Sequence, residues 1–334
     1  MNHIVGHEHI LDVLFRTAIE NRAAHSYLFT GIEGIGKKMV GIRFAGLMNC
    51  PSPSEDRLGT CGVCRRIAIG NHPDFQMVSP DRGSIRIEQV RQLQSFFKFP
   101  PYEGRWRVAL IDDAHLLTRA GQNALLKTIE EPPTGRMMIL VTSKPHLLLP
   151  TVRSRCRRIR FGPLPAGSVA NLVQPKKKTS EEKALILASL SGGSVSEALR
   201  LDTKSFTELR TQVLNALSHT RDLRWCDLLV LSAKISQDQE SAREALRIIG
   251  AWLRDLIHIK SFQINPLVIN RDFLAVLMSN GQSLAVSQIL MCYDELVRAL
   301  EFVESDSNVN RNLVTDVMLA RFASILRSPG VVSA

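Results

Sequence analysis

No stretch of this 334-residue sequence approaches 18 consecutive apolar residues, which argues against a membrane-spanning helix. The opening Met1-Asn-His-Ile-Val5 lacks the basic-then-apolar layout of a secretory signal, so the expected compartment is the cytoplasm, with no membrane partner. Cysteine is scarce at six, and in that compartment reduced thiols are the expectation rather than a disulfide framework. No internal repeat marks the C-terminal part. Acidic residues are outnumbered only in the first part: residues 1–205 hold 29 Lys/Arg against 18 Asp/Glu, whereas residues 206–334 hold 13 against 14. The net charge of +10 is therefore wholly N-terminal, which suits contact with nucleic acid or nucleotide phosphates and also serves solubility.

What is present reads as a folded chain of two or three domains, 45% hydrophobic and 22% charged. Ser26-Tyr-Leu-Phe-Thr30 is a short apolar strand. It runs into a glycine loop, Gly31-Ile-Glu-Gly-Ile-Gly-Lys-Lys38, and then a helical pattern to about Met48. Arg107–Asp113 and Met137–Ser143 read as two further buried strands. Between them Gln122–Glu130 reads as a helix with Thr118 as N-cap, stopped by Pro132 and Pro133. Strands alternating with helices predict a parallel α/β sheet covered on both faces. After Phe161-Gly-Pro-Leu-Pro165 the strands cease, and from about residue 206 the pattern is helical throughout. The predicted domains are 1–162, with a cysteine knuckle near 50–72, then a small helical segment 163–205 and a helical domain 206–334.

Gly31, Gly34, Gly36 and Lys37 have the spacing of a phosphate-binding loop, in which backbone N–H groups and a helix N-terminus cradle phosphates. Where that motif places a Ser or Thr hydroxyl on magnesium, this chain has Lys38, a cation with three donors and no lone pair. The lysine works against magnesium-ATP, so a loop kept as scaffold is the alternative to a working site. Asp112 and Asp113, closing an apolar strand, stand where a magnesium-holding carboxylate and a water-orienting one would sit; by itself such a pair is more often a loop start.

Cys50, Cys61 and Cys64 read as part of a zinc knuckle, since two sulfurs two residues apart can grip one tetrahedral ion. Position 67, where a fourth cysteine is expected, is Ile67. Zinc held by three thiolates with His72 or water, and a metal-free knuckle, both remain open. Thr151–Arg160 packs five arginines into ten residues. Arginine stays protonated and its planar fork matches phosphate oxygens, so one at a subunit edge can act on a neighbour's nucleotide. A strand whose outward face is merely solvated by charge is the rival reading.

His25–Gly31, the glycine loop, the knuckle, Asn71-His-Pro-Asp74, Asp112-Asp-Ala-His115, Asn123–Pro133 and Ser154-Arg-Cys156 together resemble the bacterial clamp-loader subunits of DNA polymerase III, a family of AAA+ ATPases. The likeness is strong over residues 1 to about 200 and looser beyond, as in Trp252-Leu-Arg-Asp255. It implies an AAA+ sheet domain, a small helical lid and a helical collar for oligomerisation. Three departures favour the stator, or delta-prime, branch over the ATP-hydrolysing gamma/tau motor, which stands as the alternative. They are Lys38 for the magnesium hydroxyl, Asp113 for the usual glutamate, and Ser196 for a nucleotide-sensing arginine. In that branch Arg155 is expected to reach into the ATP site of a neighbouring motor subunit. The implied partners are the gamma/tau and delta subunits, the sliding clamp through the assembly, and primed DNA.

Overall fold

The computed structural model describes residues 4–52, 61–201, 203–218, 225–261, 268–304 and 310–327. The chain divides into two compact units, Met1–Val169 with Gly192–Glu197, and Ala170–Ser191 with Ala198–Ala334. In order along the first unit run α1 (Glu8–Ile19), β1 (Ser26–Thr30), α2 (Lys37–Met48), α3 (Gly62–Ala68), β2 (Phe75–Val78), α4 (Ile87–Phe97), β3 (Arg107–Ile111), α5 (Arg119–Glu130), β4 (Arg136–Thr142), α6 (Pro150–Ser154) and β5 (Arg157–Arg160).

The five strands are all parallel, in the order β2-β3-β4-β1-β5. Alternation along each strand divides the core in two, because successive side chains point to opposite faces. Tyr27, Phe29, Val108, Leu110, Met137, Ile139 and Val141 join Leu14 of α1, Phe44 of α2 and Ile67 of α3. Leu28, Ala109, Ile111, Met138 and Leu140 join Leu93 of α4, Leu125 of α5 and Val152 of α6. A sheet covered on both faces explains why its strands read as unbroken apolar runs. Thr118 caps α5, its hydroxyl accepting from the Gly121 amide at 3.2 Å. The edge strand β5 differs: Arg157, Arg158 and Arg160 are exposed, and a charged edge resists pairing with other chains.

This order places the functional end of the sheet. The helix after β1 covers one face and the helix after β4 the other, yet β1 and β4 are neighbours. In doubly wound sheets ligands bind outside the carboxyl ends of strands at such a switch point.

The helices α7 (Ala166–Lys177), α8 (Glu181–Leu190) and α9 (Val195–Leu201) follow, α7 and α9 each beginning in the first unit and ending in the second. The second unit continues with α10 (Lys204–Ser218), α11 (Trp225–Ile235), α12 (Gln239–Ser261), α13 (Leu274–Ser283), α14 (Val286–Glu304) and α15 (Arg311–Arg327). Its core centres on α12, whose Leu246, Ile249, Trp252, Leu253 and Leu256 are buried at helical spacing. A polar network of the buried Asp255, Asn270 and Arg210 is threaded through it and reaches the surface at Asp272. Asp255 accepts from the Ile269 and Asn270 amides, each at 2.9 Å, while Arg210 donates to Asn270 and makes a two-pronged pair with Asp272, both prongs 2.7 Å. Among the described residues no single helix is long and apolar enough to cross a membrane.

Candidate nucleotide site, arginine edge and cysteine cluster

Gly31, Gly34 and Gly36 lie in the turn between β1 and α2. Gly34 (φ 75°) and Gly36 (φ 98°) take left-handed backbone conformations that side chains disfavour. At Gly34 space forbids a side chain as well, since a Cβ there would fall 2.6 Å from Ser196 Cβ. Ser196 thus lies directly against the loop, and its amide donates to the Gly34 carbonyl at 3.4 Å.

Both lysines of the loop are engaged within the chain. Lys37 is 6% exposed, and its ammonium donates to the Gly31 and Ile32 carbonyls at 2.8 and 2.6 Å. Burial lowers its pKa, against the opposing pull of Asp113, Glu33 and Asp112. Lys38 Nζ lies 2.9 Å from Asp112 Oδ2. The residue standing in place of a metal-binding hydroxyl is therefore paired with the carboxylate that would hold the metal. Asp113 begins the next turn in a left-handed conformation, φ 46°.

Thr142 was not among the candidates read from the sequence. It is the last residue of β4, fully buried and in register with Thr30 of β1, so it sits at the switch point. Its hydroxyl lies 3.3 Å from His115 Nδ1 and accepts from the Lys144 amide at 3.1 Å. Burial lowers the pKa of His115. The available signal was position alone, a polar residue closing an apolar strand.

Arg155 lies elsewhere. It caps the C-terminus of α6 just before β5 begins, and so lies at the amino end of the parallel sheet. The phosphate loop leaves β1 at the carboxyl end. Arg157 is level with Tyr27 and Arg160 with Thr30, so three strand steps, about 10 Å, separate the two ends of β5. Arg155 is exposed, its Nε 2.8 Å from the equally exposed Glu130 carboxylate and its Nη1 donating to the Thr151 carbonyl at 3.1 Å. Arg158 is tied back to the Thr30 hydroxyl at 3.3 Å, and Arg153, Arg157 and Arg160 are exposed.

The structure gathers the three knuckle cysteines. Cys50, Cys61 and Cys64 present their sulfurs within 4.8 Å of one another, and the group can hold a metal ion. Cys61 is the N-cap of α3 and accepts from the Cys64 amide at 3.3 Å. Burial pushes the Cys64 thiol well up, while hydrogen bonds outweigh burial at Cys61 and bring its thiol down. Residues 53–60, between Cys50 and Cys61, lie outside the described residues. Ile67 fills the expected fourth position with core, fully buried beneath α3. His72 is not in the group; its Nδ1 accepts from the Asp74 amide at 3.1 Å.

Comparison with known proteins places these features. The family profile described as DNA polymerase III, delta subunit, matches residues 6–165. The DNA polymerase III subunit delta' of Pseudomonas aeruginosa is 29% identical over 92% of this chain and 94% of its own length. The subunit delta' of Escherichia coli is 28% identical over 93% and 92%. The subunit tau of E. coli is 29% identical over 82% of this chain, which spans only 45% of that protein. With a five-stranded parallel sheet, a phosphate-loop position and delta' relatives matched over more than nine-tenths of their length, the chain belongs to the bacterial DNA polymerase III clamp-loader family, on its delta-prime side.

Proposed function

We propose that this chain is the stator of a clamp loader: it hydrolyses little or no ATP itself and completes the active site of a neighbouring motor subunit with Arg155. The observation that carries the reading is the position of Arg155. A guanidinium at the amino end of the sheet has no path to the chain's own phosphate loop at the carboxyl end, yet it is exposed and held by an exposed carboxylate. Such a group is placed to meet phosphate on another molecule, where its fork suits charge spread over phosphoryl oxygens. The Lys38–Asp112 pair supports silence in cis, because the magnesium-binding carboxylate is already neutralised. Magnesium-ATP, the cofactor of the wider family, does not fit these residues.

In this reading residues 163–205 act as a lid and 206–334 as a collar that joins gamma/tau and delta subunits. Val286, Leu290, Tyr293 and Val297 form an exposed apolar stripe on α14, at a spacing suited to a partner helix. The basic excess of the N-terminal part suits the backbone of primed DNA, and the sliding clamp is reached through the assembly. The cysteine cluster fits zinc. Four thiolates at about 2.3 Å around zinc stand about 3.8 Å apart, and Cys50 Sγ and Cys61 Sγ are 3.7 Å apart. Zinc would be held by Cys50, Cys61 and Cys64, with water completing the tetrahedron.

Two experiments test this. In the reconstituted loader, Arg155→Ala should leave assembly intact and depress hydrolysis at the adjoining site on the order of 10³-fold; an unchanged rate in an intact complex contradicts the assignment. Metal analysis of the purified chain should find about one zinc per molecule, lost in Cys61→Ser. A metal-free wild-type chain prepared without chelator contradicts the zinc reading.

A further inference from the structure

Glu130, the residue paired with Arg155, ends α5, and the chain then turns through Pro132, Pro133 and Gly135 into β4. That turn lies against the segment entering β3. The Gly135 carbonyl accepts from the Arg107 amide at 2.8 Å, and a Cβ at Gly135 would stand 3.3 Å from the Arg105 carbonyl oxygen and 3.5 Å from Pro101 Cγ. One continuous surface therefore crosses the amino end of the sheet, from Arg155 before β5 to residues 99–105 before β3. The span is three strand spacings, about 14 Å.

Phe99 and Tyr102 stand out on that surface, 66% and 78% exposed, while the other Phe, Tyr and Trp side chains described in the first unit are at least partly covered. The backbone beneath them is fixed. Asp74 accepts from three consecutive amides, those of Tyr102, Glu103 and Gly104, and Glu103 pairs with Arg66. Trp106 exchanges two hydrogen bonds of 2.9 Å with the Asn49 side chain. A ring held out from a rigid backbone loses little freedom when it is covered, which is the property of an interface anchor.

Two classes of partner seat aromatic rings. Single-stranded nucleic acid stacks bases on them, but it also needs a track of cations for its phosphates. Lys98 and Arg105 flank the loop, yet the arginines between it and Arg155 are engaged inside the chain: Arg107 by Asp74 and the Phe96 carbonyl, Arg136 by the Phe97 and Thr134 carbonyls. What joins the rings to Arg155 is proline: Pro100 and Pro101, then Pro132 and Pro133. Aromatic anchors on a mainly uncharged ledge suit a folded protein surface.

We propose that the rigid loop Phe99–Tyr102 is the affinity anchor of the contact that Arg155 serves: its two rings are covered by the same motor subunit whose nucleotide Arg155 meets. The inference rests on the stator reading and divides its surface by task. The loop supplies affinity for the neighbour, and Arg155 supplies charge to the reacting phosphate.

The test titrates the full-length chain into motor subunits and reads two quantities, the dissociation constant and the rate of ATP hydrolysis at saturation. Phe99→Ser combined with Tyr102→Ser should raise the dissociation constant at least about tenfold and leave the saturated rate within about twofold of wild type. Arg155→Ala should do the reverse. Tyr102→Ser alone, expected to weaken binding about threefold or more, carries the test if the double variant fails to fold. A folded variant that binds the motor subunits as wild type does overturns the proposal. So does one that assembles normally but loses affinity for an oligo-dT single strand, which would give the loop to nucleic acid. If Arg155→Ala leaves hydrolysis unchanged while the ring variants weaken binding, the stator reading fails and the docking surface stands, so the two failures are told apart.

Discussion

The two ends of the parallel sheet treat their cations in opposite ways. At the carboxyl end, where a nucleotide would lie, Lys37 is folded onto two backbone carbonyls and Lys38 onto Asp112. At the amino end Arg155 faces outward, held by a carboxylate as exposed as itself. Burial of Lys37 against its own loop removes that charge from what the chain can offer to a ligand, whereas a solvent-screened pair surrenders its partner at little cost. In the proposed reading, function follows the direction in which a charge is free to act, more than the presence of a motif. A second contrast lies within the amino end. Arg107, the first residue of β3, pairs at 3.2 Å with Asp74, which is fully buried. One arginine of that end is fixed by a buried carboxylate, and the other, in the proposed reading, is left for a partner.

That distinction is open to measurement. The larger effect belongs to the buried pair. Asp74 accepts from the Tyr102, Glu103 and Gly104 amides at 2.7–2.8 Å as well as from Arg107. Asp74→Ala strands all four donors and should destabilise the first unit by about 3 kcal/mol or more in denaturant titration. A loss below about 1 kcal/mol would remove the distinction between the two arginines.

A smaller effect appears with pH and has opposite signs in the two units. Burial would raise the pKa of Asp74, but its hydrogen bonds from Gly104, Tyr102, Glu103 and Arg107 outweigh that and hold it below the usual carboxylate value. Its stabilisation is complete above the unfolded pKa and is lost as pH falls through the folded one. Asp255 is the reverse: burial raises its pKa despite hydrogen bonds from Ile269 and Asn270. Its folded state binds the proton more readily than the unfolded chain, so stability there falls as pH rises through that interval. Hydrogen exchange should show the β3 amides losing protection on acidification below the carboxylate range. The α12 amides should lose it on alkalinisation through that range. Parallel trends in both would contradict the assignment. The smallest effect is that of Glu130→Ala, which should change stability by less than about 1 kcal/mol, because the carboxylate it removes is solvated. Denaturation of the variant checks this, and a larger loss would make Arg155 a structural residue.

The sheet was legible because β1, β3 and β4 are unbroken apolar runs and Thr118 stands before a periodic helix. Strand β2 was not, since Phe75-Gln-Met-Val78 is four residues long with its middle pair partly exposed, and its partner is about thirty residues away. The phosphate loop and the extra cation beside it were legible from spacing. The ion pair itself was not, because Lys38 and Asp112 meet only when α2 and β3 are packed on one sheet. Asp74 stood within a motif of family likeness, but its task depends on the turn at 102–104, distant in sequence. Asp255 and Arg210 likewise needed the helices of the second unit to bring them to Asn270.

The most direct test of the account sets the two ends of the sheet against each other in one assay. ATP hydrolysis of the reconstituted loader would be measured with this chain carrying Arg155→Ala or Lys37→Met, complex formation being verified in both. The account predicts that Arg155→Ala depresses hydrolysis while Lys37→Met leaves it within about twofold of wild type. Loss with Lys37→Met and none with Arg155→Ala would contradict it, and would make the chain a motor in its own right.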